Sequence, residues 1–113
     1  MLKTNPKIID KNIYKNITSF ITKNKVVLFM KGTPESPMCG FSSTVVNILN
    51  ILQTKFIGVN VLDNEVLRQS IKDFSDWPTI PQLYINKKFI GGCDIVQEMF
   101  NSGELKRYLL LQN

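Results

Sequence analysis

Two short apolar, β-branched runs, "KVVLFM" (25–30) and "KFIGVNVL" (55–62), flank a helix-period segment, and this order leaves few folds open. Between them Val45, Ile48, Leu49, Leu52 and Phe56 recur at helical spacing. Strands joined by a crossover helix pair in parallel, in a sheet covered on both faces. The link "KGTPESPMCG" (31–40) contains two prolines and two glycines and reads as a loop. Cys39 therefore falls at or just before the first turn of the helix.

The rest of the chain completes this unit. Ile9, Ile13, Ile17, Phe20 and Ile21 predict an amphipathic helix ahead of the first strand. After the second strand, Asp63 or Asn64 can cap a helix whose apolar side carries Leu67, Ile71 and Phe74. "PTIPQLYI" (78–85) and "KFIGG" (88–92) flank "NK" and read as a β-hairpin. Asp94 is expected to cap a last helical region, with Ile95, Val96, Met99 and Phe100 inward and Leu105, Tyr108 and Leu109 continuing after Gly103. This order predicts an α/β fold with a four-stranded mixed sheet and helices on both faces, the thioredoxin-like arrangement. The 113 residues suit one domain over 1–113, with 1–8 expected to be a flexible N-terminus.

Composition removes several function classes. No apolar run approaches the length of a membrane span, and the first 25 residues lack the apolar segment of a secretory signal. Two cysteines do not make a disulfide framework, which points to a reducing intracellular compartment. The net charge of +5 is scattered rather than striped, and Lys3, Lys7, Lys11 and Lys15 mark a solvated helix face. Nucleic-acid binding is therefore not expected. A small anionic ligand remains compatible.

Cys39 is the candidate for chemistry. A helix N-terminus offers free N–H groups and the positive end of the dipole to a thiolate. Lys31 can add charge, and Gly40 permits a tight turn beside the sulfur. A phosphatase-type loop would need Arg where Val45 stands, and papain-like catalysis needs a histidine in a chain that has none. Two cysteines 54 positions apart cannot supply a zinc site, and Ser42 occupies the resolving position of a Cys-x-x-Cys centre. Any second sulfur or metal ligand must come from outside the chain.

Candidate binding groups surround this thiol. Lys31, Arg68 and Lys72 could converge on carboxylates, the last two lying one helical turn apart. In "WPTIPQ" the Thr79–Ile80–Pro81 segment precedes a strand; with a cis Ile80–Pro81 bond, the Ile80 N–H and C=O could pair with a ligand backbone. Gly91 and Gly92 permit close backbone approach ahead of Cys93 and Asp94, and Asp94 could accept from an amine. A ligand with two carboxylates, one amine, a peptide backbone and a thiol meets all of these groups. Glutathione has that chemistry.

The stretches "MKGTPESPMCGFS" (30–42), "LRQSIKDFSDWPTIPQLYI" (67–85), "FIGGCDI" (89–95) and "SGELKRYL" (102–109) resemble the monothiol glutaredoxins of the Cys-Gly-Phe-Ser class. The resemblance implies a thioredoxin fold and a glutathione site. Lys31 and Arg68, helped by Lys72, would hold the glycine carboxylate, the Ile80 backbone the cysteinyl part, and Cys93 and Asp94 the γ-glutamyl end. It also implies that Cys39 is an iron ligand or nucleophile, and that a [2Fe-2S] cluster bridges a homodimer with two glutathione thiols completing the ligands. The implied function is delivery of that cluster to iron–sulfur acceptor proteins, with a BolA-like protein as a further partner. The alternative is a glutathione-dependent thiol–disulfide oxidoreductase acting on protein–glutathione mixed disulfides. "GGCDI" on a single domain is similar to the mitochondrial and bacterial type, so the mitochondrial matrix is expected, with the cytoplasm as alternative. Cys93 could also form a disulfide with Cys39.

Overall fold

Val26–Met30 forms β1, a strand buried at every position, and its alternation explains the layered architecture. The structure is a computed structural model that describes residues 11–111; the expected flexible segment 1–8, with Lys3 and Lys7, and Ile9 lie outside the described residues. Strand side chains point alternately to opposite faces. Val26, Leu28 and Met30 enter one core cluster, and Val27 and Phe29 enter the other.

Four strands make the main sheet. β1 pairs in parallel with β4 (Ile57–Asn60) and antiparallel with β5 (Gln82–Ile85), and β5 pairs antiparallel with β6 (Lys88–Gly91). The order is β4-β1-β5-β6. On one face lie α1 (Lys11–Lys23) and α3 (Glu65–Ser75), contributing Ile17, Ile21, Leu67 and Ile71 to the cluster around Phe29 and Tyr84. On the other lie α2 (Gly40–Ile51), α4 (Cys93–Ser102) and α5 (Glu104–Leu111), contributing Val45, Val46, Ile48, Leu49, Val96, Leu105 and Leu109. The expected thioredoxin-like sheet with helices on both faces is therefore what the chain forms.

The differences from expectation are local. Residues 31–40 are more than a loop: Gly32–Thr33 (β2) pairs with Ser36–Pro37 (β3) in a small separate hairpin. Gly32 makes it possible, since its φ is +90° and a Cβ there would lie 2.5 Å from the Ser36 carbonyl oxygen. The second strand stops at Asn60, whose side-chain oxygen accepts the Leu62 N–H at 3.0 Å and starts a 3₁₀ turn over Val61–Asp63. Asn64, not Asp63, caps α3 by accepting the Leu67 N–H at 3.1 Å. The expected cap at Asp94 is corrected: Gly92 is the cap residue and Asp94 sits exposed in the first turn of α4. The last helical region is two helices, because Gly103 turns left-handed at φ 81° and ends α4. The hairpin turn at Asn86-Lys87 has both residues at positive φ, as a two-residue turn matched to strand twist requires.

Candidate thiol and ligand-binding site

β1 delivers the chain into Lys31, the small hairpin returns it, and α2 begins immediately after Cys39. Three contacts fix this entry. The Lys31 N–H donates to Ser42 Oγ at 3.1 Å, the Met38 N–H donates to the Lys31 carbonyl at 2.9 Å, and the Gly32 N–H donates to Asn60 Oδ1 at 2.9 Å. Cys39 is the N-cap residue of α2 in extended conformation, without a side-chain cap hydrogen bond. Its sulfur thus faces the N–H groups that the first helical turn leaves unpaired.

These surroundings hold the Cys39 thiol below the ordinary value of 9.0. The Ser42 N–H is the largest cause; the Phe41 N–H, the Lys31 charge and the Ser42 hydroxyl act in the same direction, against partial burial. Ser42 is fully buried. It is therefore more than a missing cysteine, because its oxygen accepts the Lys31 N–H and its N–H and hydroxyl favour the thiolate. Cys93 behaves oppositely: burial raises its thiol, with the charges of Asp94 and Cys39 adding to the rise. Both cysteines are free thiols of intermediate exposure.

A cleft of about 470 Å³ opens beside Cys39. Of the residues expected at a ligand site, Lys31, Lys72, Thr79, Ile80, Pro81, Gly92, Cys93 and Asp94 all line it together with Cys39. The Ile80–Pro81 bond is cis. Arg68 is the exception. It is absent from the lining, and its guanidinium pairs with Glu65 at 2.9 Å on the surface of α3. Gly92 is closely packed within the protein itself, since a Cβ there would lie 3.2 Å from Trp77 Nε1 and 3.3 Å from the Pro81 carbonyl oxygen. Gly91 lies outside the lining and instead accommodates Ile95 of α4.

The cleft also takes in Phe41, Trp77, Pro78 and Ile95, which the residue patterns did not single out. Phe41 neighbours the cysteine and Trp77 opens "WPTIP", so proximity to the motifs was the available signal. Trp77 stacks at a tilt on Phe89, with ring centroids 5.6 Å apart. Met38 and Phe41, on either side of Cys39, are 69% and 63% exposed, which leaves an apolar rim around the thiol.

Among the described residues, no group of three or more His, Cys, Asp or Glu side chains could hold a metal ion. None of the described helices is long and apolar enough to cross a membrane. The glutaredoxin family profile matches residues 26–90, which include the thiol, the small hairpin and the Trp77–Pro81 side of the cleft. The chain is 59% identical over 100 residues to a probable monothiol glutaredoxin 2 of Rickettsia typhi, covering 88% of this chain and 89% of that one. The chain belongs to the monothiol glutaredoxins. A mitochondrial monothiol glutaredoxin-5 of Lachancea kluyveri is 54% identical over 96 residues, covering 82% of this chain and 67% of the relative. The solution structure of reduced apo GrxS14 from poplar superposes with a TM-score of 0.80 at 51% identity, over 88% of this chain and 92% of that one. Monothiol glutaredoxins similar to this chain thus come from both bacteria and mitochondria.

Proposed function

We propose that this monothiol glutaredoxin binds glutathione in the cleft and, as a homodimer, carries a [2Fe-2S] cluster to acceptor proteins. The observation that carries the reading is the pairing of one acidified thiol with a cleft that holds cationic, backbone and acidic groups. Lys31 and Lys72 would hold the glycine carboxylate, joined by Arg68 once it leaves Glu65. Thr79, Ile80 and Pro81 would line the cysteinyl part, and Gly92, Cys93 and Asp94 the γ-glutamyl end. The donor set fits a shared cluster: each protomer offers Cys39 as one thiolate, and two glutathione thiols bring the number to the four that two irons take. The exposed Met38 and Phe41 give a second protomer, a BolA-like protein or an acceptor an apolar surface to meet. A free thiol and a glutathione ligand belong to a reducing compartment, and the mitochondrial relative supports the matrix as that place.

Anaerobic reconstitution with iron, sulfide and glutathione tests the reading. A visible chromophore and a dimer on sizing are expected for the wild type, and neither for Cys39→Ser. A normal cluster in Cys39→Ser, or in wild type without any added thiol, would refute it.

The acidity and partial exposure of Cys39 also favour a second reading, reduction of protein–glutathione mixed disulfides. Here the Cys39 thiolate attacks the glutathione sulfur and the protein leaves as its thiolate. A second glutathione thiolate then attacks the Cys39–glutathione disulfide, which releases oxidised glutathione and regenerates Cys39. Turnover of a glutathionylated protein coupled to glutathione reductase measures it. Rates comparable with a dithiol glutaredoxin would place this activity ahead of cluster carriage.

A further inference from the structure

We infer that Gln82 is a positioning residue that sets the ligand-facing wall of the cleft. Gln82 opens β5, opposite Phe29 of β1, and is fully buried. A buried amide is tolerated only when its hydrogen bonds are made. An aliphatic side chain would suit this strand position without that requirement. The amide instead reaches back over the loop before it: Gln82 Nε2 donates to the Trp77 carbonyl at 3.2 Å and to the Thr79 carbonyl at 3.2 Å. Its Oε1 accepts from the Tyr84 hydroxyl at 3.5 Å, which orients the amide with its NH₂ toward the loop.

The loop so held is the wall itself, since Trp77, Thr79, Ile80 and Pro81 all face the cleft. Its other end is tied to α3, where the Trp77 N–H donates to the Lys72 carbonyl at 3.1 Å and to Ser75 Oγ at 3.2 Å. Gln82 therefore links the cleft wall, the helix that carries Lys72 and the strand beneath them. It touches no ligand; it fixes the depth at which the Thr79–Ile80 backbone meets one. This role rests on the glutathione reading for its ligand, but the ordering of the loop does not.

The test uses the full chain as wild type, Gln82→Met and Gln82→Glu. Amide exchange at Trp77, the loop residue whose N–H is hydrogen-bonded, is measured without ligand, with Phe29 as a reference for global opening. Reduced glutathione is then titrated calorimetrically. In Gln82→Met, exchange at Trp77 rises about tenfold relative to Phe29, and the glutathione Kd rises by about the same factor. Gln82→Glu adds a signature that packing alone does not produce. A protonated glutamic acid can donate to one of the two carbonyls, whereas the ionised form can donate to neither. The ratio of its Kd to that of the wild type therefore climbs between about pH 5 and pH 8. Unchanged exchange and Kd in Gln82→Met, or a ratio flat with pH in Gln82→Glu, overturns the proposal. If Gln82→Met does not fold, Gln82→Glu decides by the same criteria. If the wild type itself binds no glutathione, the functional reading fails, and loop exchange alone decides the role of Gln82.

Discussion

Replacing Ser42 with alanine separates two roles that one residue combines. The hydroxyl is fully buried and accepts the Lys31 N–H at 3.1 Å, so its removal leaves a partly buried donor without that acceptor. An orphaned backbone donor costs about 1–3 kcal/mol, and the lower half of that range suits a group near the surface. With unfolding entropy of roughly 2 cal/mol/K per residue, a loss of ~1.5 kcal/mol lowers Tm by about 6 °C in a chain of this length. The thiolate should respond much less. The Ser42 N–H is the largest influence on Cys39 and survives the substitution, whereas the lost hydroxyl is the smallest. The alkylation rate of Cys39 at neutral pH should therefore fall only slightly. Thermal unfolding and iodoacetamide kinetics on the same preparations check both halves. An unchanged Tm, with the thiol returned to its ordinary value, would refute the assignment and move the stabilisation of the thiolate to the hydroxyl.

Other consequences are as accessible. Alkylation of Cys39 should reach half its maximal rate below pH 9.0 and that of Cys93 above it, which mass spectrometry of each site reads directly. By linkage, the depressed Cys39 value contributes stability that is present in full above the unfolded thiol value and lost as pH falls through the folded one; Cys93 acts in the opposite sense. Urea midpoints for Cys39→Ala and wild type should therefore converge toward acid pH. Asn60→Ala removes an oxygen that accepts both the Gly32 and Leu62 N–H groups, and should cost about 1–2 kcal/mol in urea unfolding, with Asn60→Asp recovering most of it. Gly32→Ala places a Cβ against backbone at an unfavourable φ, so the small hairpin should open, seen as faster proteolysis after Glu35, while the four-stranded sheet persists.

The fold was legible because its signals are periodic. The β-branched run of β1 and the helical spacing from Val45 to Leu49 specify a strand, a crossover and a second strand with little competition, although Phe56, read in the same period, lies beyond the end of α2 at Ile51. Residues 31–40 hid their hairpin because two-residue strands carry no alternation to detect, and their pairing depends on Gly32 and on Asn60, 28 positions away. Asp94 read as a helix cap by residue type, but the chain turns two residues earlier, at Gly92 beneath Trp77. The cleft residues near Cys39, "WPTIP" and "GGCD" could be anticipated from the chemistry a peptide thiol would need. Arg68 could not be placed, because a single glutamate three positions before it competes for its guanidinium. Nor could Gln82, whose importance lies in which carbonyls it reaches, a property of the turn and not of the residue.

The hairpin that shapes the approach to Cys39 has a second consequence. β4 is an outer strand of the sheet, and the side away from β1 would offer its backbone groups to any passing chain. The hairpin packs against a face of this same strand. Pro34 sits on Gly58, where a Cβ would be only 2.5 Å from its ring, and Gly32 ties the hairpin to Asn60 at the end of the strand. The proline ring fills the place a side chain at Gly58 would take, beside Met30, and so covers apolar sheet surface next to the open edge. Shortening residues 33–37 to open the thiol to bulkier substrates would thus bare apolar surface at the margin of the sheet. Protein engineered in that way should gain access to Cys39 and lose solubility together.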